Sequence, residues 1–244
     1  MELAATLGTS GSIRVEEPRG APMLGLWLAL MLALYAAMWA SGGRSAALTT
    51  ALEGGVTRIE RDGAAAPSDE AVRKAVAMQR AAFGFWATVR LLGDFLFEPA
   101  AMALRAGAAA VGFTACAALA GRPLKFEPAW AGCVRLQGWW VLGLAVRLGL
   151  VVWLRRSEDD VDTSLALFLP PGTHQAAVWL ALRGLDAFAI VGWLALALAG
   201  RRRGDANLAV ALGLCGVLGA VELAARVGAA WFVGSAMRLA LIAS

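Results

Sequence analysis

Apolar residues along this chain come in long blocks, not in the alternation of a half-buried strand or the narrow stripe of a surface helix. A bilayer core of about 30 Å needs about 20 helical residues, and five runs approach that length: residues 23–40, 99–121, 136–154, 177–200 and 206–228. The first is uncharged and carries Trp27, Tyr35 and Trp39 where interfacial anchors sit. Its length and the mixed charges before it argue for a retained span, not a cleaved signal peptide. The second holds one charge, Arg105, and the third one, Arg147. The fourth carries Arg183 and Asp186 near its start, and the fifth Glu222 and Arg226 near its end. The pattern predicts an all-α polytopic membrane bundle with about five transmembrane helices.

The domain plan follows from these runs. Residues 1–22 form an N-terminal tail, 23–40 the first span, 41–98 a long loop, and 99–244 a core of four helices. Within the loop, "APSDEAVRKAVAMQRAAFGFWATVRLLGDFLFE" reads as an amphipathic interfacial helix, with Ser68 as cap, Asp69 and Glu70 at the positive end of its dipole, and Val72, Val76, Phe83 and Trp86 at helical spacing. Glu98 and Pro99 predict a break before the second span. A run containing Arg90 and Asp94 is too short and too charged for a sixth. Residues 126–137, "FEPAWAGCVRLQ", predict a short interfacial helix leading into the third span.

Composition sharpens this picture. Hydrophobic residues make up 59% of the chain, and 10 Trp stand against one Tyr, far beyond a soluble domain. The net charge of +4 lies at the ends of the apolar blocks, where membrane orientation accounts for it and no nucleic-acid site is called for. Arg201, Arg202 and Arg203 follow the fourth span, and Arg122 and Lys125 the second; the loop after the third is acidic, with Glu158, Asp159, Asp160 and Asp162. The positive-inside rule then places the N-terminus in the cytoplasm and the C-terminus outside. Heavy use of Ala, Leu, Gly and Arg suggests a GC-rich bacterial genome, hence the bacterial inner membrane. Cys116, Cys133 and Cys215 are separate and inside apolar stretches, which predicts buried structural thiols.

Depth links the charges within the spans. At 1.5 Å per residue, Arg105, Arg147, Asp186 and Glu222 all fall roughly 9–14 Å below the outer boundary. Charges cost several kcal/mol there unless paired or snorkelling, which predicts one intramembrane polar cluster of Arg105, Arg147, Asp186 and Glu222, with Arg183 and Arg226 nearer the surface. Small residues predict where helices meet: Ala108, Gly112, Cys116 and Ala120 on the second span, and Gly216, Ala220, Ala224 and Gly228 on the fifth. Glu222 projects roughly opposite the latter stripe, at about 200° for two residues, which counts against its joining the cluster if the stripe faces the bundle.

Two stretches carry a family resemblance. "LAGRPLKFEPAWAGCVRLQG", residues 119–138, resembles the turn after the second span of the Yip1 domain family, and "WLALRGLDAFAIVGWLALALAGRRRG", residues 179–204, resembles its fourth span, with Leu185, Asp186 and Phe188 matching a Leu-Asp-x-Phe element. "LFLPPG" at 167–172 fits the linker before that span in bacterial members. The tyrosine and proline often seen early in the family's third span are replaced here by "CVRLQ". The resemblance covers nearly the whole chain and implies a small integral membrane protein without established enzymatic chemistry, whose eukaryotic relatives work in vesicle traffic with small GTPases.

No catalytic residue, cofactor site or metal-ligand set is legible: there is no nucleotide loop, no clustered ligands, and the single His174 lies in a loop. The rival readings are a scaffold that binds the bilayer and membrane-protein partners or further copies of itself, and a permease-like subunit using the charged layer. A transporter predicts internal repeats and helix breaks at mid-membrane, whereas the prolines here lie at span boundaries. A polar cavity reaching Asp186 favours transport; a sealed, salt-bridged layer favours structure.

Overall fold

The computed structural model describes residues 20–63, 69–122, 124–168 and 176–242. Ser68, His174 and most of the N-terminal tail lie outside them. Helix follows helix: α1 (Gly20–Ala40), α2 (Gly43–Gly63), α3 (Asp69–Ala81), α4 (Phe83–Leu92), α5 (Glu98–Leu119), α6 (Phe126–Leu136), α7 (Gly138–Leu154), α8 (Ala176–Gly184), α9 (Ala187–Arg203) and α10 (Leu208–Ile242). The all-α prediction agrees with this order. Among the described residues, four helical stretches are long and apolar enough to cross a membrane: Gly20–Ala40, Asp69–Leu119, Phe126–Leu154 and Leu208–Val233.

The predicted fourth span, 177–200, is not one helix. It breaks at Leu185 and Asp186, between α8 and α9. Asp186 has extended backbone angles, φ −72° and ψ 138°, and its carboxylate accepts from the Phe188 and Ala189 N–H groups as the N-cap of α9. The backbone groups freed by the break are met by the segment after α7: Leu165 N–H donates to Leu185 O and Ala187 N–H to Thr163 O, each at 3.1 Å. Ser164 and Asp186 thus form an antiparallel bridge. Unmatched backbone at membrane depth costs several kcal/mol per group, so a break there needs such a partner.

The break expected at Glu98 and Pro99 is absent. Instead α4 runs through a π-helical turn, Gly93–Phe97, straight into α5, with Pro99 in the first turn of α5. The Glu98 N–H reaches back to Gly93 O, and this wider turn lets a proline, which has no N–H to give, enter a continuing helix. The segment after α1 also differs from a plain loop: Gly42, at φ +79°, reverses the chain into α2, which packs on α3 and α4.

Two apolar cores hold the bundle. One gathers Met31, Tyr35 and Met38 of α1 with Met102, Val141, Leu144 and Val151. The other gathers Ala109, Ala110 and Phe113 of α5 with Cys133, Leu196, Ala197, Ala211 and Cys215. Cys133 and Cys215 are buried as free thiols, and Cys116 is half-buried. Large apolar residues such as Leu104, Val111, Val152, Val217 and Val221 point outward, the distribution of helices whose outer surface meets lipid.

Helices meet at places the small-residue stripes only partly mark. The buried face of α5 is Ala106, Ala109, Ala110, Phe113 and Ala117, offset from the predicted Ala108, Gly112, Cys116 and Ala120. Gly112 does lie at a close approach, since a Cβ there would fall 2.8 Å from Leu214 of α10. On α10 the stripe does not pack on a helix: nothing lies within 4 Å of a Cβ built on Gly216 or Gly228. Close contacts also occur at Gly143, whose Cβ would fall 2.8 Å from the Phe188 Cβ, and at Gly192, 2.6 Å from the Trp140 ring. Gly143→Ala is therefore expected to wedge α7 from α9 and cost about 1–3 kcal/mol, read as a lower Tm in detergent. Gly149→Ala, on the exposed side of α7 with nothing within 4 Å, is expected to leave Tm unchanged or raise it.

Candidate functional site: a charged layer around one cavity

The charged residues predicted at one depth surround a cavity of about 520 Å³ between α1, α5, α7, α8, α9 and α10. Its lining includes Arg105, Arg147, Arg183, Asp186, Glu222 and Arg226, joined by Glu98. The structure divides them into two sets around the cavity, not one knot.

The first set is built on α5 and α10. Arg105 is buried and forks onto Glu222: Nε donates to Oε2 at 2.8 Å and Nη2 to Oε1. Its Nη1 donates to Gln137 Oε1 at 3.0 Å, and its Cζ lies 4.2 Å from the centre of the Trp140 ring. Gln137, fully buried at the junction of α6 and α7, donates in turn to Cys133 O at 3.3 Å. Arg226, one turn beyond Glu222, donates to it through Nε at 3.1 Å and forks onto Glu98 at 2.6 and 2.9 Å. Arg226 is therefore a member of the network, and Glu222 faces the bundle despite the small residues on the other side of α10. That stripe faces open space: Gly216 and Ala220 line the cavity, so the helix-packing role expected of them is replaced by a cavity wall.

The second set stands at the helix break. Arg147 of α7 donates through Nε to Thr163 Oγ1 at 3.0 Å and through Nη2 to Asp186 Oδ2. The Thr163 hydroxyl donates to the same carboxylate oxygen, while Oδ1 accepts the Phe188 N–H at 2.8 Å and the Ala189 N–H at 3.4 Å. Asp186 thus combines a helix cap with an ion pair, and all its acceptor positions are engaged. Arg183, one turn earlier, lies over the Trp179 ring at 5.0 Å.

A third network was not foreseen from the sequence. Arg44, at the start of α2, is 4% exposed; it donates to Asp94 Oδ1 at 2.9 Å in the π-helical turn and to Glu158 in the turn after α7. Trp39 Nε1 donates to Asp94 Oδ2 at 3.0 Å, Arg90 approaches Glu158 at 3.4 Å, and the Arg44 guanidinium sits 5.3 Å from the Tyr35 ring centre. Burial and then the neighbouring Arg90 push Arg44 down to about 10, which leaves it cationic at neutral pH. The signal available in the sequence was the i,i+4 pair of Arg90 and Asp94, which had weighed only against a sixth span. Glu98 was likewise read only as a boundary marker. At the opposite end of the bundle Arg203 does more than follow a span, since it pairs with the buried Asp205 at 2.7 Å and lies 5.8 Å from the Phe113 ring centre.

Among the described residues no three His, Cys, Asp or Glu side chains gather as metal ligands. What the arrangement does chemically is close charges across helices: α5 to α10, α7 to α9, and α2 to both the π turn and the loop after α7. Removing one partner leaves the other charge uncompensated in a poorly solvated place. Asp186→Asn is expected to lower Tm in detergent by the equivalent of about 1.5–3 kcal/mol, the worth of a charged hydrogen bond, with helical content kept by circular dichroism. Glu98→Gln is expected to cost less, because Glu222 still holds Arg226. An Asp186→Asn protein as stable as wild type would refute the pairing role. Comparison of the chain with protein-family models, with curated proteins and with solved structures finds no significant match, so these contacts themselves are what speaks to function.

Proposed function

We propose that this chain is a non-enzymatic, multi-pass protein of the bacterial inner membrane that acts as a scaffold or partner-binding protein. Its N-terminus is cytoplasmic, its fold is of the Yip1 type, and α8 with α9 serves as a fifth crossing despite the break at Asp186. Long apolar helices are compatible with an integral membrane protein; the finer statements are ours. The observation that carries the scaffold reading is the closure of every carboxylate at the cavity. Glu98, Asp186 and Glu222 each accept from an arginine on a different helix. A carboxylate that exchanges protons or binds a travelling cation is one without a fixed cationic partner, and here each is already paired with an arginine.

A second reading, a permease-like subunit, is favoured by two observations that run against the sequence argument: a helix broken within an apolar stretch, and a cavity bordered by Asp186. Broken helices beside a central site are the usual architecture of secondary transporters. The two readings separate in reconstituted membranes. For a scaffold, in-membrane crosslinking of the intact chain captures one defined membrane protein or a second copy in fixed ratio, and Asp186→Asn weakens stability without abolishing a specific flux. A saturable solute flux lost in Asp186→Asn, with no defined crosslinked species, would instead establish the permease. Orientation is tested by reporter fusions: a fluorescent reporter after residue 203 is expected to be cytoplasmic, and a periplasmic phosphatase active when joined within 157–160.

A further inference from the structure

Arg135 stands apart from the arginines of the charged layer. Arg105, Arg147 and Arg226 each meet a carboxylate on another element, whereas Arg135, in the last turn of α6, is exposed, and no acceptor or aromatic ring among the described residues meets its guanidinium. Residue counting gives its height. α6 and α7 together form the apolar stretch Phe126–Leu154, and Arg155 and Arg156 follow its far end. The 19 residues from Arg135 to Leu154 span about 28 Å at 1.5 Å each, close to the roughly 30 Å of a bilayer core. With Leu154 at one boundary, Arg135 falls at the other. The packing of α1 agrees, because its first residue, Gly20, lies beside Ala131, one turn before Arg135; a Cβ there would fall 3.1 Å from the Ala131 Cα.

A groove starts at the same residue. Between α1 and α7, Arg135, Trp27, Leu30, Trp139, Leu142 and Ala145 line an open space of about 400 Å³. The Trp27 ring packs on Gly138, where a Cβ would fall 2.8 Å from it, so the two helices touch beneath the groove. Leu30 and Leu142 are 42% and 45% exposed, and the groove therefore opens sideways, on the outer surface of the bundle. From Arg135 to Ala145 it follows 10 residues of helix, about 15 Å, away from the boundary and into the core. An uncompensated guanidinium at that boundary is costly, and a phosphate offsets the cost through charge-assisted hydrogen bonds. An apolar groove leading from it into hydrocarbon has the shape and polarity of an acyl chain's seat.

We propose that the α1–α7 groove binds an anionic phospholipid, its phosphodiester held at Arg135 and an acyl chain laid over Trp27, Leu30, Leu142 and Ala145. A lipid of net charge −1 closes the charge of Arg135, whereas a zwitterionic lipid brings its own ammonium to the same place. On the orientation proposed above, the head stands in the cytoplasmic leaflet. The proposal goes beyond the scaffold reading and needs only that these helices meet lipid.

The test uses the intact chain, purified in detergent and depleted of lipid, with thermal unfolding followed as lipid is added. Phosphatidylglycerol is expected to raise Tm saturably, while phosphatidylcholine of the same chains and inorganic phosphate do not. Arg135→Gln breaks no contact within the protein; it is expected to keep the lipid-free Tm and to weaken phosphatidylglycerol binding at least tenfold. Arg202→Gln removes the same charge from an exposed residue at the end of α9 and is expected to bind as wild type. Ala145→Phe, which fills the far end of the groove and leaves Arg135 in place, is expected to weaken binding as well. Equal stabilisation by phosphatidylcholine would overturn the anionic head, and an equal effect of inorganic phosphate would overturn the acyl chain in favour of a free anion. Undiminished binding by Arg135→Gln, or an equal loss in Arg202→Gln, would overturn the site and leave only a general attraction to positive charge. None of these results touches the crosslinking that decides the scaffold reading, so the two fail separately.

Discussion

A guanidinium among apolar helices must be closed by an acceptor on a neighbouring element, and the arrangement of this bundle depends on that constraint. Between helices whose outer surfaces are as apolar as their surroundings, hydrophobic burial gives little preference for one register over another. Charges do. Arg105 fastens α5 to Glu222 of α10 and, through Gln137, to the junction of α6 and α7. Arg147 fastens α7 to the start of α9. Arg44 fastens the start of α2 to the π turn and to the loop after α7. Each link fixes rotation and height at once, because sliding either helix by one turn, about 5.4 Å, would strand both charges. The apolar cores then fill the space these links define, with Met38, Met102, Phe113 and Leu196 as the largest fully enclosed apolar side chains.

The same economy governs the two places where the backbone departs from α-helix. At Leu185 and Asp186 the freed groups are taken up by the extended segment beside them, and the cap that starts α9 is also the carboxylate that meets Arg147. At Gly93–Phe97 the helix widens so that Pro99 fits, and the widened turn presents Asp94 to Arg44 and Trp39. In both cases the irregular turn positions an acidic side chain against an arginine, so the departure from regular helix and the charge closure are one feature.

Much of this was legible in the sequence because depth in a membrane is a one-dimensional quantity that residue counting measures. Arg105, Arg147, Asp186 and Glu222 share a level by count, and the structure brings them around one cavity in pairs. Counting cannot give rotation. The small-residue stripe on α5 lies beside the truly buried face, and the Gly216 and Ala220 part of that on α10 lines the cavity, since Ala and Gly mark room without saying what occupies it. Nor does an apolar run reveal a break inside it: 177–200 has membrane length, yet Asp186 prefers to cap, and the partner that permits this, the segment at 163–165, lies outside the run. Arg44 escaped for a related reason. Its partners Asp94 and Glu158 are 50 and 114 residues away, in segments that local pattern assigns to loops.

The central claim is that paired charges, and not apolar packing alone, hold α5 and α10 in register. A double-mutant cycle on Arg105→Gln and Glu222→Gln, measured by thermal and denaturant unfolding of the intact chain in one detergent, tests it most directly. Each single substitution is expected to destabilise, and the double to recover part of the loss, with a coupling of about 1–3 kcal/mol. Additive losses, with no recovery in the double variant, would contradict it.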